Sequence, residues 1–248
     1  MIRYRPFRNT DPPALAGLWN RGLPSLGVAV PLGAHEFDAM IVDKPTFDPG
    51  GLIIAEDEGG RAVGFVHAGF GPAGSGERPR AEDRELGSIA MLVVDPERHD
   101  EALERGLMEA AKAYLRAGGA SVIYAGGQAP VNPFYLGIYG GSECAGILSS
   151  HVAFHRAAQR SGFEPVANTV LLQADLAQPE PRDPKGVVLR RQTRLEVLDD
   201  AITDGWWESA ALGPFRPTLY RLLARDGGSE LARASTWTMA GFGRVDGR

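Results

Sequence analysis

The sequence predicts a mixed α/β fold, an α+β arrangement around one mixed sheet, on three observations. Its periodic segments run strand, helix, helix, hairpin, long strand, helix, strand, helix, strand. Residues 88–94 (SIAMLVV) form a continuous apolar run between polar residues, as a strand buried on both faces does. A long amphipathic helix and a second apolar strand follow it, which calls for a parallel crossover, whereas the short turn earlier in the chain calls for antiparallel pairing.

Taken in order, residues 2–7 alternate and read as a short strand. Asp11-Pro12-Pro13 reads as a helix start, Asp as N-cap and Pro in the first turn, with Leu15, Leu18, Trp19 and Leu23 at helical spacing. A second helical piece covers residues 34–42. Residues 52–56 and 62–70 read as strands joined by Glu58-Gly59-Gly60, a hairpin signal. Residues 71–85 (GPAGSGERPRAEDRE) are a surface loop. After Asp95-Pro96 a helix runs to about residue 117, with Leu103, Leu107, Ala110, Ala111 and Tyr114 on one stripe, and Gly118-Gly119 ends it. Residues 121–125 (SVIYA) are the next strand. A loop rich in glycine and aromatics, residues 126–146, leads to a helix at about 149–161 that Gly162 stops. Residues 163–176 read as a final strand or hairpin.

Residues 177–186 (AQPEPRDPKG) hold three prolines among alternating charges and read as a linker. Beyond it the pattern restarts. Residues 187–191 (VVLRR) are similar to residues 2–6 (IRYRP), a helix-like stretch covers 195–202, and GGSELARASTWTMAGFG is similar to the hairpin GGRAVGFVHAGFG. The expected layout is a domain over residues 1–176, a linker over 177–186 and a partial second copy over 187–248. The alternative is a small C-terminal extension packed on the first domain.

A net charge of −5 without a Lys/Arg cluster argues against nucleic-acid binding. The one cysteine, Cys144, excludes an intramolecular disulfide and a cysteine-rich zinc site. The polar start MIRYRPFRNTDPP lacks the apolar stretch of a secretory signal, and no run reaches the ~18 apolar residues of a membrane span. The expectation is a cytoplasmic protein with no membrane, nucleic-acid or metal partner.

The stretch VVDPERHDEALERGLMEAAKAYLRAGGASVIYAGG resembles the acetyl-CoA segment of the GNAT N-acetyltransferase family. There a central strand ends in V-x-P, and a loop Q/R-x-x-G-x-G/A opens the crossover helix, whose N-terminus receives the CoA pyrophosphate. Val94-Asp95-Pro96 matches V-x-P, and AFHRAAQRSGF matches the later helix that ends in Gly-Phe. The resemblance covers about residues 1–176, and the tandem layout resembles two-copy members of the mycothiol-synthase type. It implies that the strand splays from its neighbour, and that acetyl-CoA binds at Leu92, Val93, Val94, His99, Asp100, Glu101, Ala102, Leu103 and Glu104. The acetyl group would pass to an amine of a small molecule, a protein N-terminus or a lysine; the fold also admits a homodimer.

This sequence departs from the family pattern. His99 replaces Arg or Gln, Ala102 the first Gly, and Glu104 the second Gly or Ala. Asp100, Glu101 and Glu104 suit a helix dipole, each by ~0.3–1 kcal/mol, but set like charge against a pyrophosphate. The Tyr that many members place four residues before the Gly of Gly-Phe is Ala158 here. Tyr135 and Tyr139 are substitute candidates for the general acid, and Glu56 and Glu85 for the base. The corresponding segment of the second copy would follow residues 236–242, and the sequence ends at Arg248 before one. Two functions stay open: an N-acetyltransferase, or a catalytically inactive GNAT-like domain used for binding or packing.

Other features read as structural. Gly71-Pro72-Ala73-Gly74-Ser75-Gly76 lacks the Lys-Ser/Thr of a phosphate loop. His151 and His155 share a helix face without the Glu of HExxH. Cys144 has no base nearby in sequence, and no G-x-S-x-G elbow occurs. The aromatics of residues 132–141 (NPFYLGIYGG) either wall a substrate pocket or anchor the loop to the core or the second copy. Trp206-Trp207 read as interface or core anchors.

Overall fold

A computed structural model describes residues 2–24, 29–71, 84–98, 100–127, 132–140, 146–172, 174, 175, 177, 184–201, 206–213 and 215–238. The glycine loop at 72–76, His99 and Cys144 lie outside these residues, as do the side chains of Trp206 and Trp207.

Five strands build the first sheet: β1 (Arg3–Pro6), β2 (Leu52–Glu56), β3 (Ala62–Phe70), β4 (Leu86–Val94) and β5 (Val122–Ala125), in the order β1-β2-β3-β4-β5. The first three pairings are antiparallel and β4–β5 is parallel, as the sequence predicts. Asp57 shapes the β2–β3 turn by accepting from the N–H of Gly59 and Arg61, and Gly60 takes φ +75° there. Ala90 is an extra residue in β4, because His67 pairs with Met91 and Ala68 with Ile89.

Two apolar layers sandwich this sheet. One contains Leu52, Ile54, Phe65, Met91 and Val93, packed under α1 (Pro12–Gly22), α2 (Ala34–Phe37, continuing as a π-turn over Asp38–Val42) and residues 134–139. The other contains Ile53, Val66, Ile89, Leu92 and Val94 under α3 (Glu101–Ala117) and α4 (Val152–Arg160). In α3, Leu103, Leu107 and Ala111 of the predicted stripe are buried and Ala110 and Tyr114 half-buried, and Gly118 and Gly119 end the helix. Asp11 differs from its expected role. Its side chain makes no cap bond to α1; it accepts from the Arg8 N–H and from both terminal nitrogens of Arg5.

The C-terminal region holds α5 (Pro184–Gln192), β6 (Thr193–Leu198), α6 (Trp206–Leu212), β7 (Thr218–Ala224) and β8 (Glu230–Thr236), with β6-β7-β8 forming an antiparallel sheet. Three expectations are corrected here. Residues 187–191 lie in α5 rather than a strand, and α5 takes the last three residues of the expected linker. Residues 195–198 are strand rather than helix, because Leu195 and Val197 find cross-strand partners in Leu222 and Tyr220. Residues 163–172 pair with no strand among the described residues; Val166, Val170 and Leu172 stand exposed. The β7–β8 turn matches β2–β3 closely: each register slips by one residue at the turn, and Gly228, like Gly60, has positive φ.

Candidate functional site at the fork between β4 and β5

Pairing of β4 with β5 begins at Leu86–Val122 and stops at Ile89–Ala125. The N–H of Gly126 still reaches the Ile89 carbonyl at 2.9 Å; the chain then turns away with Gly126 at φ +93°. Residues 90–94 therefore keep β3 on one edge and have no strand on the other, among the described residues. This is the splayed strand end that the resemblance implies. Leu92, Val93 and Val94 lie along it with buried side chains.

Asp95 follows, fully buried. Burial opposes its charge, but the Glu97 N–H, Arg21 at 3.0 Å and Arg61 at 2.9 Å hold its carboxyl below the usual carboxylate range. Asp100 is extended and caps α3 by accepting from the Ala102 N–H at 2.8 Å. Leu103 points into the core, while Glu101 and Ala102 are exposed. Glu104 is only 1% exposed and takes a two-pronged contact from Arg156, whose Nε lies 3.1 Å from Oε2. Arg160 reaches Glu101 at 3.1 Å. Two of the three acidic residues at the head of α3 are thus neutralised from α4. The two arginines stand four apart in AFHRAAQRSGF, one face of a helix, and that spacing was the sequence signal for them.

No family model and no curated protein matches this chain. Among solved structures it is similar to a GNAT family acetyltransferase from Brucella melitensis in complex with acetyl-CoA, at 16% identity over 73% of this chain and 94% of that one, TM-score 0.45. It is also similar to an acetyltransferase from Trypanosoma brucei, at 16% identity over 70% and 100% of the two chains, TM-score 0.44. A third is the ribosomal-protein-S18-alanine N-acetyltransferase from Escherichia coli, at 14% identity over 67% and 80%, TM-score 0.41.

The catalytic candidates separate in space. Glu56 lies on β2, two strands from the open part of β4, where it accepts from Arg5 Nε at 2.7 Å. Glu85 precedes β4, at the end away from the fork. Tyr135 and Tyr139 are buried in the layer that covers Met91 and Val93. Tyr135 Oη lies 2.9 Å from Nδ1 of His67, the β3 residue opposite Met91. Tyr139 Oη accepts from the Leu148 N–H at 3.3 Å and shares a second hydrogen bond with His151 Nδ1 at 2.6 Å. Burial lowers the pKa of His67 to about 3 and of His151 to about 4, and raises both tyrosines, so all four side chains are neutral near pH 7. His151 is thus committed to Tyr139; among the described residues no group of three or more His, Cys, Asp or Glu could hold a metal. The aromatics of the loop anchor it: Phe134, Tyr135 and Tyr139 share one core with Ala211, Leu212 and Phe215 of the C-terminal region. The two Tyr–His pairs join residues 68 and 12 apart, and no local pattern announces them.

Proposed function

We propose that this chain is an acyltransferase of the GNAT type, passing the acetyl group of acetyl-CoA to an amine of a small molecule, a protein N-terminus or a lysine. The observation that carries this reading is the fork: a buried central strand whose last five residues have no second partner strand among the described residues, followed by a capped crossover helix. An unpaired strand edge next to a helix N-terminus suits a ligand with amide groups at one end and phosphates at the other.

The chain's own groups fit such a co-substrate. The backbone of residues 90–94 offers N–H and C=O groups to a pantetheine arm. Arg160, half-exposed and paired with exposed Glu101, turns toward a diphosphate at small cost, since exposed ion pairs contribute at most ~1 kcal/mol. Arg156 cancels the charge of Glu104 at the same place. In the transfer, the amine nitrogen bonds to the thioester carbonyl carbon and the C–S bond breaks. The thiolate leaves, and the ammonium proton passes to water or a carboxylate. The fork's part is to hold the carbonyl in line with the amine.

A second reading, a GNAT-like domain that binds without turnover, is favoured by Ala158, which is buried and carries no hydroxyl where the family has its Tyr. We also propose the tandem layout, with residues 187–248 as a partial second copy, from the shared strand order and turn geometry of β6-β7-β8 and β1-β2-β3. Calorimetric titration with acetyl-CoA tests the main reading. Micromolar binding is expected, with release of free thiol when an acceptor amine is present. Binding without turnover on any amine would favour the second reading; no binding at millimolar ligand would remove acetyl-CoA from both.

A further inference from the structure

An amine that accepts an acyl group must come within about 3–3.5 Å of the carbonyl carbon. On one face of the fork that approach is filled by α3 and α4, packed on Leu92 and Val94. On the other face it is filled by residues 134–139, packed with Met91 and Val93. Of the two covers, the second carries the backbone strain that would be relieved if it gave way. Tyr135 has φ +64°, one of two non-glycine residues in the left-handed region among those described. For a bulky side chain this conformation costs about 1–2 kcal/mol. Gly137 and Gly140 follow at φ +76° and +118°, conformations that glycine holds without strain. Among the described residues the loop is tied to the segment before α2 by one bridge: Ala29 pairs with Tyr139, and the Val30 N–H reaches the Ile138 carbonyl at 2.9 Å.

Within this cover the Tyr135 side chain is held as a ligand would be. Its ring lies parallel to Trp19, with centroids 5.6 Å apart and planes 8° from parallel. Its hydroxyl meets His67 Nδ1 at 2.9 Å, and Phe134 stands beside the imidazole at 4.4 Å. Trp19 is itself fixed by donating from Nε1 to the Val30 carbonyl at 2.8 Å. The receptor is thus a flat apolar wall with one hydrogen-bonding nitrogen at its far end.

We propose that Tyr135 is a removable plug on the acceptor side of the fork. The acceptor is then an arylalkylamine with a ring hydroxyl, which takes the plug's place between Trp19 and His67. The proposal rests on the acetyltransferase reading for the word acceptor, but the binding event does not require acetyl-CoA. When the plug leaves, Tyr135 relaxes to negative φ and the loop swings about Gly137 and Gly140. A phenolic ring replaces the lost stacking and the lost hydrogen bond together, whereas a plain aliphatic amine replaces neither.

Amide hydrogen exchange on the full chain tests this with tyramine as probe. Without ligand, the amides of Val30, Ile138 and Tyr139 should exchange at least tenfold faster than those of Val66 and Val93, which face neighbouring strands. Tyramine should speed exchange at Ile138 and Tyr139 further, phenethylamine at about tenfold higher concentration, and ethanolamine not at all. Exchange of the loop only in step with Val66 and Val93, or no response to tyramine, would overturn the plug. If tyramine displaces the loop but is not acetylated when acetyl-CoA is added, the plug stands and the acetyltransferase reading falls. A Tyr135→Gly variant gives a second readout: glycine accepts the left-handed backbone, and p-cresol should then bind and raise the melting temperature. Should that variant not fold, the wild-type exchange decides.

Discussion

The Arg156–Glu104 pair at the head of α3 is asymmetric, and the asymmetry makes a prediction. Glu104 is buried, whereas the Arg156 side chain is 39% exposed. Removing the arginine strands a buried carboxylate; removing the carboxylate leaves an arginine that can turn to water. Arg156→Met should therefore cost about 3 kcal/mol, and Glu104→Gln about 1 kcal/mol, by urea denaturation. Equal losses would mean that the pair is not desolvated on the glutamate side. The buried histidines predict the acid response. His67 and His151 have folded-state pKa values of about 3 and about 4, below the ordinary 6.5, with burial as the main cause. Asp48 works weakly against this at His67, and His155 with it at His151. Below pH 6.5 the unfolded chain binds protons that the folded chain refuses, so stability is full above 6.5 and falls as pH drops. Each histidine contributes a slope of up to ~1.4 kcal/mol per pH unit, both acting down to about pH 4 and His67 alone to about pH 3. His67→Gln should flatten part of that slope in denaturant titrations between pH 6.5 and 4; an unchanged slope would place the acid sensitivity elsewhere.

Among the elements, the fork depends on Gly126, where β5 ends and the backbone turns at φ +93°. A methyl group there would sit 2.8 Å from the Gly146 carbonyl carbon and 3.0 Å from the Ile147 nitrogen, so alanine meets strain and backbone at once. Gly162 has φ +83° with open space around it. Gly126→Ala should cost about 3 kcal/mol and weaken acetyl-CoA binding at least tenfold, while Gly162→Ala should cost about 1 kcal/mol and leave binding unchanged. Similar effects at both would mean that the turn does not shape the site. The central strand, the crossover helix and its glycine stop were legible in the sequence because each is a local signal: an apolar run, a stripe, a cap. So was the hairpin turn at Glu58-Gly59-Gly60. The stretch 187–198 misled because α5 and β6 are both short and mix apolar with charged residues, and only pairing with β7 decides which part is strand. The head of α3 looked uniformly acidic because its compensation, Arg156 and Arg160, comes from a helix some fifty residues later. The Tyr–His pairs lay beyond any reading of periodicity, since side chains on β3 and in a distant loop meet only once the sheet exists.

For the molecule as a whole, the C-terminal sheet depends on its mooring to the first. Every residue of β8 is exposed. The ion pairs of Arg221 and Arg233 with Glu196 and Glu230 are at best partly shielded, so they stabilise the sheet little. What holds it is α6 and the turn after it. Ala211, Leu212 and Phe215 enter the core of the first sheet, and Trp237 lies 6.3 Å from Phe215. Between the two parts stands Lys44, 5% exposed, whose ammonium donates to the carbonyls of Ala210 and Ala211 near the end of α6. A cation suits the negative end of a helix, and these bonds answer carbonyls that α6 itself leaves open. Lys44→Met keeps the apolar stem and removes the donors. Each buried carbonyl left without a partner costs about 1–3 kcal/mol, and the whole cost falls on the docking of α6 rather than on the first sheet. The variant should therefore show a lower first transition in scanning calorimetry. Amide exchange should rise across β6, β7 and β8 and stay as it was in β2, β3 and β4. A rise in both sheets together, with one transition, would mean that the two parts fold as a single cooperative unit and that Lys44 supports all of it.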